Sequence, residues 1–196
     1  MKLCFYLATK NKNKLKEIKN IMGDEIKVLL PPDFIEFPEE KGKTLKENAY
    51  LKAEYLSRYI KDYYIVGEDS GLFVEKLNGL PGINSAHFSG KRDDKGNIKK
   101  LLEEMKNYKK KEDRKARFIT VACLIGKGEK RFFKGEVKGY ITFSPRGKNG
   151  FGYDPIFEIP KIGKTFAELS LEEKNKISHR SKAFLKLKEY LIKRSF

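Results

Sequence analysis

The stretch from Leu3 to Met22 changes its apolar period within a few residues, and that change sets the fold class. Leu3 to Ala8 is a continuous apolar run of strand length, which delivers the chain into the polar turn Thr9-Lys10-Asn11-Lys12-Asn13-Lys14. Leu15, Ile18, Ile21 and Met22 then recur at helical spacing. Strand, turn and helix in that order open an α/β arrangement, in which the helix covers the sheet that the strand joins.

A loop through Pro31, Pro32 and Pro38 carries the acidic pair Glu39-Glu40 ahead of Gly42. Thr44 with Glu47 three residues on is a capping box, so a second helix is predicted from about Leu45 towards Tyr59. Tyr63 to Val66 is another buried-strand run, ended by Gly67-Glu68-Asp69-Ser70-Gly71; Leu72 to Leu77 continues as a strand before a turn at Pro81-Gly82. Ile98, Leu101, Leu102 and Met105 mark a third helix, and the charged stretch Lys109 to Lys115 reads as an exposed loop. Ala116 to Ile125, a turn at Gly126-Lys127-Gly128, and Arg131 to Phe143 give a long hairpin. Ser170 and Glu173 form a second capping box, and Ala183, Phe184, Leu187, Tyr190 and Leu191 stripe a C-terminal helix.

Alternation followed by a hairpin predicts an α/β (mixed α+β) fold on a mixed β-sheet with flanking helices, not a purely doubly wound one. No repeat and no linker rich in Pro, Gly or Ser divides the chain, so a single domain over residues 1–196 is expected.

Composition narrows the partners without choosing one. With 43 Lys+Arg against 27 Asp+Glu, the net charge is +16, spread along the chain rather than confined to a tail. Such a field attracts nucleic acid, anionic membrane and nucleoside triphosphates alike. Lys/Glu enrichment without Trp or Gln also fits a solvated, thermophile-like surface. No apolar run is long enough to cross a membrane, and the start lacks the apolar region of a secretory signal, so a cytoplasmic protein with no membrane partner is expected. Cys4 and Cys123 stand far apart, which offers neither a zinc site nor a disulfide framework.

Three places carry possible chemistry. Glu68-Asp69 follows an apolar strand where ligands of open α/β sheets collect, and two adjacent carboxylates are hard oxygen ligands of the kind Mg²⁺ prefers. The same stretch is also the pattern of a turn closed by an Asx hydrogen bond. On a wheel of about 100° per residue starting at Leu45, Lys52 falls about 20° from Leu45 inside the stripe of Leu45, Ala49 and Leu56. Its ammonium therefore either snorkels to the rim or meets an anion in a cleft. Ser178-His179-Arg180, near Lys174, offers donors for a carbonyl or phosphate, or else simply begins a helix; Phe151-Gly152-Tyr153-Asp154 offers aromatic faces. Gly163-Lys164-Thr165 is no P-loop, because Glu158 stands where its first Gly belongs. Lys138 to Phe143 matches an RNA-recognition signature only in part, since Ile141 replaces its Gly or Ala, and reads as a plain strand.

Thr9-x-Asn11-x-x-Lys14, Glu68-Asp69-Ser70-Gly71, Leu80-Pro81-Gly82, Phe151 to Phe157 and Ser178-His179-Arg180 together resemble the inosine triphosphate pyrophosphatase family, in order from Leu3 to Leu191. The resemblance implies Mg²⁺-dependent hydrolysis of ITP, dITP and XTP to the monophosphate and pyrophosphate, by a homodimer. It implies an elongated mixed sheet with two lobes around a central nucleotide-binding cleft. It assigns Thr9, Asn11, Lys14 and Lys52 to the triphosphate, Asp69 and one of Glu39 and Glu40 to the metal, with Glu39 favoured by its spacing to Gly42, and Asp69 to proton acceptance, a job Glu68 can share. Ser70, Phe151, Gly152, Tyr153, Asp154, Lys174, His179 and Arg180 would contact the nucleotide.

Lys10 replaces a common Gly of the first motif and either adds a phosphate contact or points outward. His179 and Arg180 donors aimed at a 6-oxo group would meet the NH₂ of adenine, a mismatch that rejects ATP. The same contact does not separate GTP. A rival of another class, an RNA- or DNA-binding protein using its basic surface, predicts affinity falling steeply with salt and no Mg²⁺ dependence. A related pyrophosphatase for other modified nucleotides is the enzymatic rival.

Overall fold

The computed structural model describes residues 3–194. Its helices are α1 (Lys12–Met22), α2 (Leu45–Ser57), α3 (Asp94–Glu104), α4 (Leu171–Ile177) and α5 (His179–Lys193). Its strands are β1 (Leu3–Ala8), β2 (Ile26–Leu29), β3 (Tyr64–Val74), β4 (Pro81–Gly82), β5 (Lys115–Gly126), β6 (Glu129–Ile141), β7 (Phe157–Ile159) and β8 (Lys164–Thr165). They pair in the order β2-β1-β3-β5-β6-β7-β8, with β4 on β3. The sheet is mixed, as the alternation and the hairpin predict: β1 runs parallel to β2 and β3, whereas β7 runs antiparallel to β6 and β8.

The chain forms two compact units, one made of residues up to Asp69, Thr120–Gly135 and Ser178 onward, the other of Ser70–Ile119 and Glu136–Ile177. In the first, Phe5, Leu7, Ile18, Met22, Val66, Leu124, Phe184 and Leu187 form the core, and α1 packs on α5. The stripes on both helices supply about half of it, and the strands the rest. In the second, Leu72, Leu101, Met105, Phe118, Ile156, Phe157 and Phe166 do so, with Phe118, Phe157 and Phe166 in mutual ring contact. No helix among the described residues is long and apolar enough to cross a membrane.

Several local expectations change. β2 was not foreseen; Ile26 and Val28 are buried and Lys27 exposed, a short alternation that suffices at the sheet edge beside β1. Gly67 to Gly71 is not a turn, because β3 runs through it from Tyr64 to Val74. Glu75–Leu77, read as strand, is a 3₁₀ turn. The stretch read as an exposed loop contains a 3₁₀ turn at Lys111–Arg114, with Arg114 buried. Its guanidinium donates to the carbonyls of Ile141, Met105, Tyr108 and Thr142 at 2.7–3.1 Å. A charged sequence hides such a residue, since nothing in the chain distinguishes it from its solvated neighbours.

One capping box forms in full and the other in part. Ser170 and Glu173 exchange bonds at 3.1 and 2.7 Å. Thr44 accepts from the Glu47 N–H at 3.0 Å, while the Glu47 carboxylate reaches the N–H of Lys43 at 2.6 Å instead of that of Thr44. Thr44→Ala is expected to cost about 1 kcal/mol in urea unfolding, the usual worth of an N-cap oxygen.

Candidate active site

Two close approaches build the first unit's polar centre. β1 ends at Ala8, which pairs with Gly67, so Glu68 and Asp69 lie beyond the carboxyl end of their parallel neighbour although their own strand continues. A Cβ on Gly67 would stand 2.0 Å from the Ala49 carbonyl oxygen and 2.7 Å from the Ala53 nitrogen, so α2 rests directly on β3. That contact seats Asn48 and Lys52 beside Asp69. Asn48 Nδ2 donates to Asp69 Oδ2 at 3.1 Å; Lys52 Nζ donates to Oδ1 at 3.2 Å and to Glu40 at 3.1 Å. Lys52 therefore meets anions rather than snorkelling clear of them, its side chain only 12% exposed.

The second approach is at Gly135 of β6, where a Cβ would stand 2.0 Å from the His179 carbonyl oxygen and 2.5 Å from the Ala183 nitrogen. α5 thus begins flush against β6, capped by Ser178, whose hydroxyl accepts from the Ser181 N–H at 3.0 Å. Arg180, only 2% exposed, points into the unit. Its Nη1 reaches Glu17 at 2.5 Å, and its Nε and Nη2 reach Glu68 Oε1 at 3.3 and 3.1 Å. Lys14 closes on the other Glu68 oxygen at 2.7 Å.

These surroundings drive the two adjacent carboxyls apart. Burial alone would raise Glu68, but Lys14, Arg180 and Lys52 outweigh it and hold the group far below the ordinary carboxylate range. Asp69 is raised, because burial, reinforced by Glu40 and Glu68, prevails over Lys52 and Lys14. Burial would lower Lys52, yet Asp69, then Glu40 and Glu68, lift it above its usual value. Opposed shifts on neighbouring groups separate a fixed anion, Glu68, from a group suited to exchanging a proton, Asp69.

The remaining candidates fall as follows. Asn11 caps α1, its side-chain oxygen accepting from the N–H groups of Asn13 and Lys14 at 3.0 and 3.1 Å, and Thr9 Oγ1 accepts from Asn11 at 3.1 Å. Lys10 is exposed and donates to the Asp33 carbonyl at 3.2 Å. Glu39 and Glu40 are both exposed, and it is Glu40 that shares Lys52 with Asp69. His179 is buried as the first residue of α5. Arg180, expected to address the base, is turned to Glu17 and Glu68.

Two residues that sequence reasoning passed over belong to the cluster. Glu17, buried in α1, lies four residues before Ile21, and Asn48 lies three past Leu45 and four before Lys52. Their signal was a polar residue inside an apolar stripe, the same one that marked Lys52.

In the second unit, Asp154 is buried and accepts from the Phe151 N–H at 2.9 Å and from Lys174 at 2.5 Å. The Lys174 ammonium lies 5.1 Å from the Phe151 ring centre and 5.4 Å from that of Phe166. Tyr153 donates to the Ser85 carbonyl at 2.9 Å, and the Gly152 N–H donates to Asp94 at 2.7 Å. Ser70 is half-buried, and His87 is exposed in a 3₁₀ turn. Asp154 thus organises Phe151 and Lys174, while Tyr153 is committed to the protein.

Among the described residues no group of three or more His, Cys, Asp or Glu is arranged to hold a metal. Mg²⁺ needs none, since it is commonly held by one or two carboxylates together with substrate phosphates and water. Asp69 and Glu40, drawn together by the shared Lys52, supply hard oxygens only, and that pair fits a metal arriving with a triphosphate.

Comparison with known proteins agrees with the fold. The chain is 47% identical over 193 residues to the dITP/XTP pyrophosphatase of Caldanaerobacter subterraneus subsp. tengcongensis, covering 96% of each. It is 44% identical over 190 residues to that of Bacillus subtilis, covering 94% of this chain and 95% of the relative. The structure of the Staphylococcus aureus Ham1 protein superposes with a TM-score of 0.86 at 40% identity, over 97% of this chain and 99% of that one. A Coxiella burnetii HAM1 protein gives the same TM-score at 38% identity over the same shares. The Ham1 family model matches residues 5–190, so this chain, with its sheet and the motifs that build the carboxylate cluster, belongs to the Ham1 family.

Proposed function

We infer that the protein hydrolyses non-standard purine nucleoside triphosphates, ITP, dITP and XTP, to the monophosphate and pyrophosphate. The observation that carries the reading is near full-length similarity to dITP/XTP pyrophosphatases in a chain whose adjacent Glu68 and Asp69 are shifted in opposite directions by their surroundings.

Mg²⁺, held by Asp69 with Glu40 or Glu39 and by the substrate phosphates, would supply polarisation of the phosphoryl group. Asp69 orients the attacking water and takes its proton, Lys52 and Asn48 fixing the carboxylate that does so. Lys14 and Lys52 compensate charge on the departing pyrophosphate, with Thr9, Lys10 and Asn11 at the start of α1 as further triphosphate contacts. Glu68 remains an anion that holds Lys14 in place. Arg180 acts on the reaction by holding Glu68. Phe151 supplies a face for the purine, Lys174, Ser70, Gly152, Tyr153 and Asp154 its surroundings, and His179 a donor for the 6-oxo group. The reading also places the enzyme in the cytoplasm as a homodimer, an assembly that light scattering on the purified protein reads directly.

The test is pyrophosphate release from ITP, XTP, GTP and ATP with and without Mg²⁺. Release from ITP and XTP that requires Mg²⁺ and largely spares ATP is the expected result. No release from any of them by the folded protein would end the reading and leave salt-dependent nucleic-acid binding as the next assay. Lys52→Ala is expected to raise KM for ITP by about tenfold or more, the worth of one desolvated charge contact. Unchanged kinetics would confine Lys52 to its two carboxylates.

A further inference from the structure

The first unit holds a cavity of about 500 Å³ outside the carboxylate cluster, a volume usual for small-ligand sites. Tyr50, Glu54 and Ser57 of α2 form one wall, Tyr63 and Ile65 another, and the hairpin tip at Gly126 to Lys130 a third, leaving the cavity open to solvent. α2 therefore presents Asn48 and Lys52 to Asp69 and different residues to this cavity.

Its charges do not balance. Three lysines, Lys61, Lys127 and Lys130, line it with three acids, Glu54, Asp62 and Glu129. Two of the acids are answered by residues outside the lining. Glu54 takes Arg58 through Nε at 3.2 Å and Nη2 at 2.9 Å. Glu129 accepts from Tyr64 at 2.9 Å, from Tyr190, and from Arg194 at 2.9 Å. Among the described residues the lysines have no carboxylate partner: Lys61 donates to the Ser57 carbonyl at 2.8 Å, Lys127 lies 5.1 Å over the Tyr64 ring, and Lys130 lies 4.5 Å over the Tyr50 ring. A ring face holds an ammonium in place without cancelling its charge. Three such cations against Asp62 leave an excess of about two positive charges, which matches the roughly 1.5 to 2 negative charges of a phosphate monoester at neutral pH.

The cavity also offers a flat surface. Tyr63 is 44% exposed, and its ring is fixed by an edge-on contact with Tyr6 at 5.2 Å and 88°. We propose that this cavity binds a phosphate monoester carrying a flat ring, a nucleoside 5′-monophosphate, with Lys127 and Lys130 on the phosphate and Tyr63 against the base. The site lies on the far side of α2 from the catalytic carboxylates and is separate from the substrate site.

Calorimetric titration with adenosine 5′-monophosphate, in the absence of any triphosphate, tests it. The expected result is saturable binding, tighter than that of inorganic phosphate, weakened about tenfold in Lys127→Ala/Lys130→Ala, since two exposed charge contacts together are worth about that factor. Lys14→Ala is expected to leave that binding unchanged. Absence of binding at millimolar nucleotide, equal affinity for inorganic phosphate, binding kept by the double variant, or binding lost in Lys14→Ala would each overturn the assignment. Because no turnover is read, failure here and failure of the pyrophosphatase reading are separate results.

Discussion

Asp69→Asn is expected to lower Mg²⁺-dependent pyrophosphate release from ITP by about three orders of magnitude, within the range that general-base catalysis supplies. The change is isosteric, and the site tells what each atom would lose. Asn48 Nδ2 and Lys52 Nζ both donate to the Asp69 oxygens, at 3.1 and 3.2 Å. An amide can satisfy one of them through its oxygen, but its NH₂ would face the other donor, so one contact breaks while the fold persists. Lost with it are the anionic charge, which holds a cation, and the lone pair that takes a proton from water. Burial raises this carboxyl, so it accepts a proton more readily than an ordinary Asp, and the amide cannot accept one at all. The measurement is kcat for ITP together with the melting temperature. A variant that melts normally and turns over within a factor of ten of the parent would remove Asp69 from the reaction and shift the role to Glu68, although the depressed pKa of that group suits it poorly as a base.

How far the sequence reveals this site depends on what a residue's neighbours in the chain disclose. β1, α1, the hairpin, the Ser170/Glu173 capping box and the Thr44 cap are legible because each rests on a local period or a short-range hydrogen bond. The segment from Gly67 to Gly71 is misread for a physical reason. Its Gly content and carboxylates are what turns use, whereas here Gly67 serves the close approach of α2 and the carboxylates face cations from three other elements. Those partners come from far away in sequence, Arg180 lying 112 positions from Glu68 and 163 from Glu17, so no window contains them. Lys52 was legible because a cation broke an apolar stripe. Glu17 and Asn48 broke stripes in the same way, and only a rule applied to every polar residue on such a face would have found them. Arg114 had no such mark, as its four carbonyl partners are backbone groups that any sequence would have placed there.

Arg180→Met is expected to destabilise the protein by about 3–5 kcal/mol, the cost of breaking a buried ion pair from one side. At this chain length that lowers the melting temperature by roughly 10 °C. The guanidinium holds Glu17 and Glu68 at once, and both carboxylates are nearly inaccessible to water. Removing it costs more than the lost attraction, because two buried anions then sit beside one another with one cation fewer. The pH dependence follows from the direction of the Glu68 shift. A carboxyl whose folded pKa is depressed contributes stability above its unfolded pKa and loses it as the pH falls through the folded value. In the parent that loss lies below the ordinary carboxylate range, so acid leaves this contribution intact across mildly acidic pH. Without Arg180 the folded pKa of Glu68 rises, and acid unfolding is expected to begin at a higher pH. Two further variants separate the orphaned charge from lost packing. Arg180→Lys keeps a cation and is expected to recover part of the stability. Arg180→Met/Glu17→Gln removes one of the stranded charges and is expected to be more stable than Arg180→Met alone, a non-additivity that residues with independent effects would not show. If Glu17→Gln instead adds its own cost in full, Glu17 and Arg180 do not act as a pair, and the account of how Glu68 is held fails with them.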